Sequence, residues 1–347
     1  MEKFFFLLSG EHPTLPFSEL KAILEAEDCQ HQVLQRLTQV LRLEADTQSV
    51  EVIESRSAMT RICGLELFSC HASITSILEK ARSTPLEDHL REGESFAVRV
   101  RRIRGTAPQI GRLELEGELG EIVLDKAEGA EVNLGNPEKT FWGVLTENSF
   151  LFGIKLTEIS AKSFRERDPQ KRPFFHPSAM PAKLARCMVN LARPQAGDLV
   201  LDPFCGTGSM LLEAGLMGCR VMGLDAQPHM VRGSLQNLRH YGLEPQGMTV
   251  ADARHLPITQ IGCVVTDPPY GRSATTMGWK PQRLIKEALS EMKDRLLPGR
   301  WICVASPEAT QISRIGQELG LKLIESHLIY VHSSLTREVA VFRSGYS

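Results

Sequence analysis

Leu201 to Gly215 reads LDPFCGTGSMLLEAG, and the passage from an apolar run, through an acid and two glycines, into helix-spaced apolar residues decides the fold. Asp198 to Asp202 (DLVLD) is apolar in the manner of a strand buried in a parallel sheet, and Met210, Leu211, Ala214 and Leu216 fall at helical spacing. The joint is a βα turn. Without a Cβ at Gly206 and Gly208 the backbone can bend sharply and a ligand can lie against it, near the positive end of the following helix. A glycine pair of this kind also serves plain packing in Rossmann-like sheets, so its meaning depends on the chain that follows.

Three more apolar runs follow, each closing on an acid: VMGLD at Asp225, MTVAD at Asp252 and CVVTD at Asp267. Between the first two, Pro228 to Tyr241 reads as a helix with a proline suited to its first turn and Gly242 to close it. Ligands of an open parallel sheet bind outside the carboxyl ends of its strands, so the four carboxylates are expected to line one crevice. Further on, Pro281 to Leu296 reads as a helix, Trp301 to Ser306 as a fifth strand, and Leu321 to His332 with Glu338 to Arg343 as a closing hairpin. The class is α/β: a doubly wound, mostly parallel, Rossmann-like sheet with an antiparallel edge strand.

The 347 residues allow two or three domains, and a 42% hydrophobic content supports real cores. No apolar run approaches the roughly 20 residues needed to span a bilayer. The opening FFFLL is too short and wrongly flanked for a signal peptide, so no membrane partner is expected. Eight cysteines occur without a C-x-x-C pair, which argues against structural zinc and against a disulfide framework. The expected setting is the reducing cytoplasm, and no metal is expected. A net charge of -2 implies no polyanionic partner by itself, but residues 1–172 are net acidic and the rest net basic. Within the acidic part Arg99, Arg101, Arg102 and Arg104 cluster, as do Lys162, Arg165, Arg167, Lys171 and Arg172. Such runs arise as solvated faces or as the footprint of a nucleic acid.

From the start, Phe4 to Ser9 reads as a strand and Phe17 to Glu27 as an amphipathic helix with Ser18 as its N-cap. Val33 to Glu44 fits neither period cleanly. Val50 to Ile53 and Leu65 to Phe68 look like strands, and Ile74 to Ala81 like a helix. Ser95 to Ile103 alternates, with Phe96, Val98 and Val100 on one face and Arg99 and Arg101 on the other. Gln109 to Leu124 fits a helix despite Gly111, Gly117 and Gly120. Val132 to Leu134, Phe141 to Leu145 and Phe150 to Leu156 read as strands, the last two as a hairpin around Glu147 and Asn148. Ile159 to Arg172, charged and polar, reads as a linker.

Here the motifs resemble a known family. The first 160 residues, with VNLGNPEKTFWGVL from Val132 to Leu145, resemble a THUMP region preceded by a ferredoxin-like unit, an architecture associated with tRNA-modifying enzymes. RPFFHPSAM (Arg172 to Met180), DPFCGTGS (Asp202 to Ser209), ADARHLP (Ala251 to Pro257) and TDPPYGRS (Thr266 to Ser273) resemble the archaeal tRNA guanosine N2-methyltransferases that act at position ten. The resemblance implies a ferredoxin-like domain over residues 1–70, a tRNA-binding THUMP domain over 71–160, a linker over 161–172 and an S-adenosylmethionine-dependent methyltransferase domain over 173–347. Eukaryotic relatives work with a small zinc-binding activator subunit, which makes such a subunit, added as a strand to a free sheet edge, an expected partner beside tRNA.

With S-adenosylmethionine as methyl donor, Asp202 and the Gly206 to Gly208 turn are expected at its methionine end, Asp225 at its ribose hydroxyls and Asp252 at its adenine amine, with Phe204 also among the cofactor-binding residues. An acid at Asp225 would equally suit the ribose of NAD, but a dehydrogenase has no use for Asp267-Pro268-Pro269-Tyr270. An exocyclic amine is a poor nucleophile because its lone pair is delocalised into the ring. The Asp267 carboxylate and the Pro268 carbonyl can accept from its two N–H groups and localise that pair, on a backbone stiffened by proline. Tyr270 can stack on the extruded base, a contact of about 1–3 kcal/mol. Asp267, Pro268 and Tyr270 are therefore the candidate catalytic residues, while Arg99, Arg101, Arg104, Arg165, Arg167 and Lys171 are the candidate phosphate contacts. Methylation at carbon five of a pyrimidine needs a cysteine after proline, and no Pro-Cys dipeptide occurs; Cys205 and Cys263 read as core residues and His176 as structural. Two other readings stay open: a DNA amino-methyltransferase acting on N4 of cytosine or N6 of adenine, and a tRNA-binding protein with an inactive methyltransferase domain. Whether one methyl or two is added is also open.

Overall fold

The structure, a computed structural model, describes residues 1–269 and 281–345. Its internal contacts divide it into one unit of residues 1–17, 28–55 and 60–160 and a second of residues 18–27, 56–59 and 161–347. Helix α1 (Leu15–Ala26) falls mostly in the second unit.

The first unit is built on one sheet of eight strands: β1 (Glu2–Leu8), β2 (His31–Leu37), β3 (Val40–Ala45), β4 (Thr60–His71), β5 (Ser95–Arg102), β6 (Glu131–Val132), β7 (Lys139–Thr146) and β8 (Ser149–Glu158). Their order is β2-β3-β1-β4-β8-β7-β5-β6. The pairings of β5 with β6 and with β7 are parallel and the others antiparallel. Phe96, Val98 and Val100 of β5 pack with Phe141 of β7 and Phe150 and Phe152 of β8 beneath α3 (Ile74–Ser83) and α4 (Arg112–Lys126). Each such side chain, once buried, contributes about 1.5–3 kcal/mol. Arg101, of the opposite parity on β5, is exposed as the alternation required.

Four local expectations are corrected here. Val50 to Ile53 is helical, inside α2 (Gln48–Arg56): β-branched residues suggested a strand, but Val50 and Ile53 are the buried pair, at the three-residue spacing of a helix. Val33 to Glu44 is the β2–β3 hairpin, and a register shift between Val33 and Gln35 explains its broken period. Ser18 is not the N-cap of α1, which begins at Leu15, where His12 Nδ1 accepts from the Thr14 and Leu15 amides at 3.2 and 3.1 Å. Ile159 to Arg172 is no linker: it contains α5 (Lys162–Glu166) and a 3-10 turn at Pro169–Lys171, with Phe164 and Pro169 buried.

The second unit carries α6 (Ala182–Leu191) and then the alternation read from the motifs: β9 (Leu199–Asp202), α7 (Ser209–Gly215), β10 (Arg220–Asp225), α8 (Pro228–His240), β11 (Gly247–Val250), β12 (Ile261–Thr266), α9 (Pro281–Arg295), β13 (Leu296–Pro307), α10 (Ile312–Glu318), β14 (Lys322–His332) and β15 (Leu335–Arg343). The order is β11-β10-β9-β12-β13-β15-β14. Strands run parallel from β11 to β13, and the antiparallel strand is β15, one place in from the edge that β14 forms. After β11 the chain returns to the far side of β9, so the switch point lies between β9 and β12. Every residue of β12 is buried, as a strand covered on both faces must be. Gly262 keeps it close to β9, since a Cβ there would come 2.7 Å from the Leu199 carbonyl oxygen. No helix among the described residues is long and apolar enough to cross a membrane.

Candidate active site

The carboxyl ends of β10, β9 and β12, neighbours in that order, bring Asp225, Asp202 and Asp267 to one side of the sheet. Asp202 is buried, and its Oδ1 accepts from the Phe204 amide at 3.1 Å and from the Thr266 hydroxyl at 2.7 Å. That second bond crosses the switch point and ties the start of the glycine turn to the residue before Asp267. Burial pushes the Asp202 carboxyl from its ordinary 3.8 up to about 7; the hydrogen bonds from Thr266 and Phe204 oppose the rise, and the charges of Asp267 and Asp225 add to it. Asp225 accepts from the Gly206 amide at 3.0 Å and from the Gln227 amide at 2.9 Å. Burial raises its carboxyl as well, against those two bonds. The turn therefore hangs from β10, with the Cys205 amide on the Leu224 carbonyl at 2.8 Å as a second point.

Gly206 and Gly208 both take the left-handed conformation, at φ +50° and +81°, which favours glycine. A Cβ at Gly206 would meet nothing nearer than 3.9 Å, so its backbone stands open to a ligand. At Gly208 a Cβ would lie 2.4 Å from Ser234 Oγ, so that glycine serves packing against α8. Asp267 faces Arg337 of β15, whose Nη2 is 3.5 Å from Oδ2. Pro268 is buried beside it. Tyr270 lies outside the described residues. The fourth acid, Asp252, lies two residues past the end of β11, whose Val250 pairs with Asp225; Arg254 takes both of its carboxylate oxygens at 2.5–3.1 Å, hydrogen bonds that hold Asp252 below its ordinary value. Cys205 and Cys263 are buried, and burial pushes both thiols up, Cys263 to about 12. Neither supplies a thiolate.

The comparisons with known proteins fit this geometry. Residues 169–338 match the family of RMKL-like methyltransferase domains, and residues 71–155 match the THUMP domain family. A protein of Methanothermobacter thermautotrophicus named tRNA (guanine(10)-N2)-dimethyltransferase is 37% identical over 343 residues, which take in 96% of this chain and 97% of that protein. The chain belongs to the tRNA (guanine(10)-N2)-dimethyltransferase family. A protein of the same name from Pyrococcus abyssi is 33% identical over 96% of this chain and 97% of its own length. Among solved structures, TrmN from Thermus thermophilus matches with a TM-score of 0.57 at 20% identity, covering 99% of each chain, a likeness of fold.

In this chain the candidate phosphate contacts fare unequally. Arg101 and Arg104 are exposed on the first unit, and Arg165 and Lys171 on the second. Arg99 is half-buried, with Nη2 donating to the Leu134 carbonyl at 2.6 Å. Arg167 is withdrawn: Nε and Nη2 reach the two oxygens of fully buried Glu213 at 2.9 and 3.1 Å, and Arg186 shares that carboxylate at 3.0 Å. A buried carboxylate needs such partners, so its basic run marked a core attachment rather than a phosphate site at this position. Arg337 and Thr266 went unassigned in the sequence. Thr266 stands inside the TDPPY motif, but nothing in a linear pattern marks Arg337.

Proposed function

We propose that this chain transfers methyl groups from S-adenosylmethionine to the exocyclic N2 amine of guanosine at position ten of tRNA. The observation that carries this reading is the pairing of β9 with β12 across the switch point, where the Asp202 to Thr266 bond sets Asp267 and Pro268 beside the glycine turn. The described residues fit the donor: the open backbone at Gly206 and the acids Asp202 and Asp225 form an acidic crevice suited to a ligand that carries positive charge. When bound, S-adenosylmethionine supplies an electrophilic methyl on a sulfonium. Asp267 and the Pro268 carbonyl accept from the two N–H groups of the target amine and turn its lone pair outward, Arg337 holds the Asp267 carboxylate in place, and Tyr270 stacks on the base. Residues 71–160, with Arg99, Arg101 and Arg104, are assigned to tRNA binding, and Arg165 and Lys171 to the RNA path on the methyltransferase unit.

A guanosine paired in a stem must leave the stack at a cost of a few kcal/mol, which binding elsewhere on the tRNA has to offset. The relatives are named dimethyltransferases, and both methyl additions are included in the proposal. tRNA is the macromolecular partner of this reading, in the cytoplasm, and no finding supports the activator subunit that the resemblance implied. Unmodified tRNA transcripts, incubated with the protein and donor and then digested to nucleosides for mass spectrometry, are expected to yield N2-methylguanosine and then N2,N2-dimethylguanosine, lost when position ten is changed. Methylated adenine or cytosine in DNA, or no methylated nucleoside at all, would overturn it.

A further inference from the structure

The glycine turn and the RPFFHPSAM segment meet through a side chain that belongs to neither motif. Asn237, fully buried on α8, donates from Nδ2 to the Phe174 and Thr207 carbonyls, each at 2.9 Å, and accepts at Oδ1 from the Phe174 amide at 2.9 Å. Both of its N–H groups and its oxygen are used. Thr207 is the residue between the two turn glycines, so a single planar group holds the turn and grips both backbone polar groups of Phe174. The neighbouring surface of α8 is shaped to the same end. The Phe174 ring lies over Gly233, where a Cβ would come 2.1 Å from it, and Gly208 lies against Ser234. The first and last residues of the segment are pinned to the first turn of α7, with Arg172 Nη1 donating to Ser209 Oγ at 2.7 Å and that hydroxyl donating to the Met180 carbonyl at 3.0 Å.

We propose that Asn237 is a positioning residue for the methyl donor, setting the Thr207 carbonyl and the Phe174 backbone in one register so that turn and segment offer a prearranged surface. The proposal rests on the methyltransferase reading above. A buried amide satisfied at every atom imposes one arrangement on what it touches, and a prearranged site binds without the ordering cost that a loose one carries. Aspartate at this position keeps the bond to the Phe174 amide but sets a carboxylate against two carbonyls. Serine is too short to reach either.

The test is steady-state methylation of a tRNA transcript by the full chain at varied donor concentration, with calorimetric titration of S-adenosylmethionine, below the melting temperature of each variant. Asn237→Asp and Asn237→Ser are expected to raise the donor KM and Kd about tenfold, as the turn and the segment lose two or all three of the bonds that hold them in register. At saturating donor kcat stays within about twofold, and tRNA affinity is unchanged. Leu238→Ala, at a fully buried α8 position outside these bonds, should lower the melting temperature and leave the donor KM within about twofold. An unchanged donor KM in the Asn237 variants with only a lower melting temperature, or an equal rise in Leu238→Ala, would overturn the proposal, as would failure of both Asn237 variants to fold. Should only Asn237→Asp fail to fold, Asn237→Ser decides. A wild-type protein that binds the donor without methylating tRNA would remove the reading above, and the titration alone would then decide this one.

Discussion

Single carboxylates at the strand ends differ because burial treats them differently. Asp202, enclosed and held at about 7, is favoured in its neutral form in the folded chain. That contribution to stability is complete below its ordinary value near pH 4 and is lost as pH rises to about 7. Asp202→Asn keeps an acceptor for Phe204 and Thr266 without the charge, so the ligand-free variant should melt higher than wild type at pH 8, with the gap shrinking towards pH 4; thermal melts at both pH values check this. Asp267 is only partly enclosed and faces Arg337. Asp267→Ala should lose about 10²–10⁴ of turnover at saturating donor while calorimetry finds donor affinity unchanged; lost affinity with retained turnover would make it a binding residue instead. The sequence marked these acids because each closes an apolar run. It did not show that Asp252 is ion-paired: there the side chain two residues on has the length and charge to claim both oxygens, and nothing in the pattern says which way an arginine will turn.

At the scale of elements, long uniform patterns were readable, and elements whose partners lie far along the chain were not. β12, apolar throughout, and the helices behind β9 and β10 follow from their own periods. The role of α1 does not. Glu19 on that helix is fully buried and accepts from Ser57 Oγ, the Ala58 and Met59 amides and Asn190 Nδ2 at 2.8–3.0 Å. Nearby, Arg193 joins Glu25 of α1 to Glu325 of β14 and lies over Trp301, 4.0 Å from the ring centroid. These residues belong to one compact unit although they come from three stretches of chain. Glu19→Ala removes an acceptor from four buried donors, of which the Met59 amide and Asn190 Nδ2 keep a second one, and should destabilise this unit by about 3–5 kcal/mol, seen as a lower urea midpoint. A midpoint near that of the wild type would show that water replaces the carboxylate.

For the whole molecule, the fold class and the presence of THUMP and methyltransferase regions were legible from motifs, whereas the division of the chain was not. β4 runs from Thr60 to His71 as one strand paired on both sides, with β1 and with β8, so the sheet passes through residue 70 without a break. No change in composition marks such continuity. The basic residues of the first unit are tested together: replacing Arg99, Arg101 and Arg104 with alanine should weaken tRNA binding and reduce the salt slope by roughly 0.9 for each phosphate that an arginine had neutralised, with donor affinity intact. An unchanged slope in filter binding would leave these arginines as a solvated face. The burial of Glu19 also sets a timetable for synthesis. Its acceptor bond to Asn190 spans 171 residues, a length that takes on the order of ten to thirty seconds to synthesise at roughly 5–20 residues per second. Through that interval Glu19 can meet only its donors at Ser57, Ala58 and Met59, 38 to 40 residues on, so helix α1 waits half-docked until α6 is made.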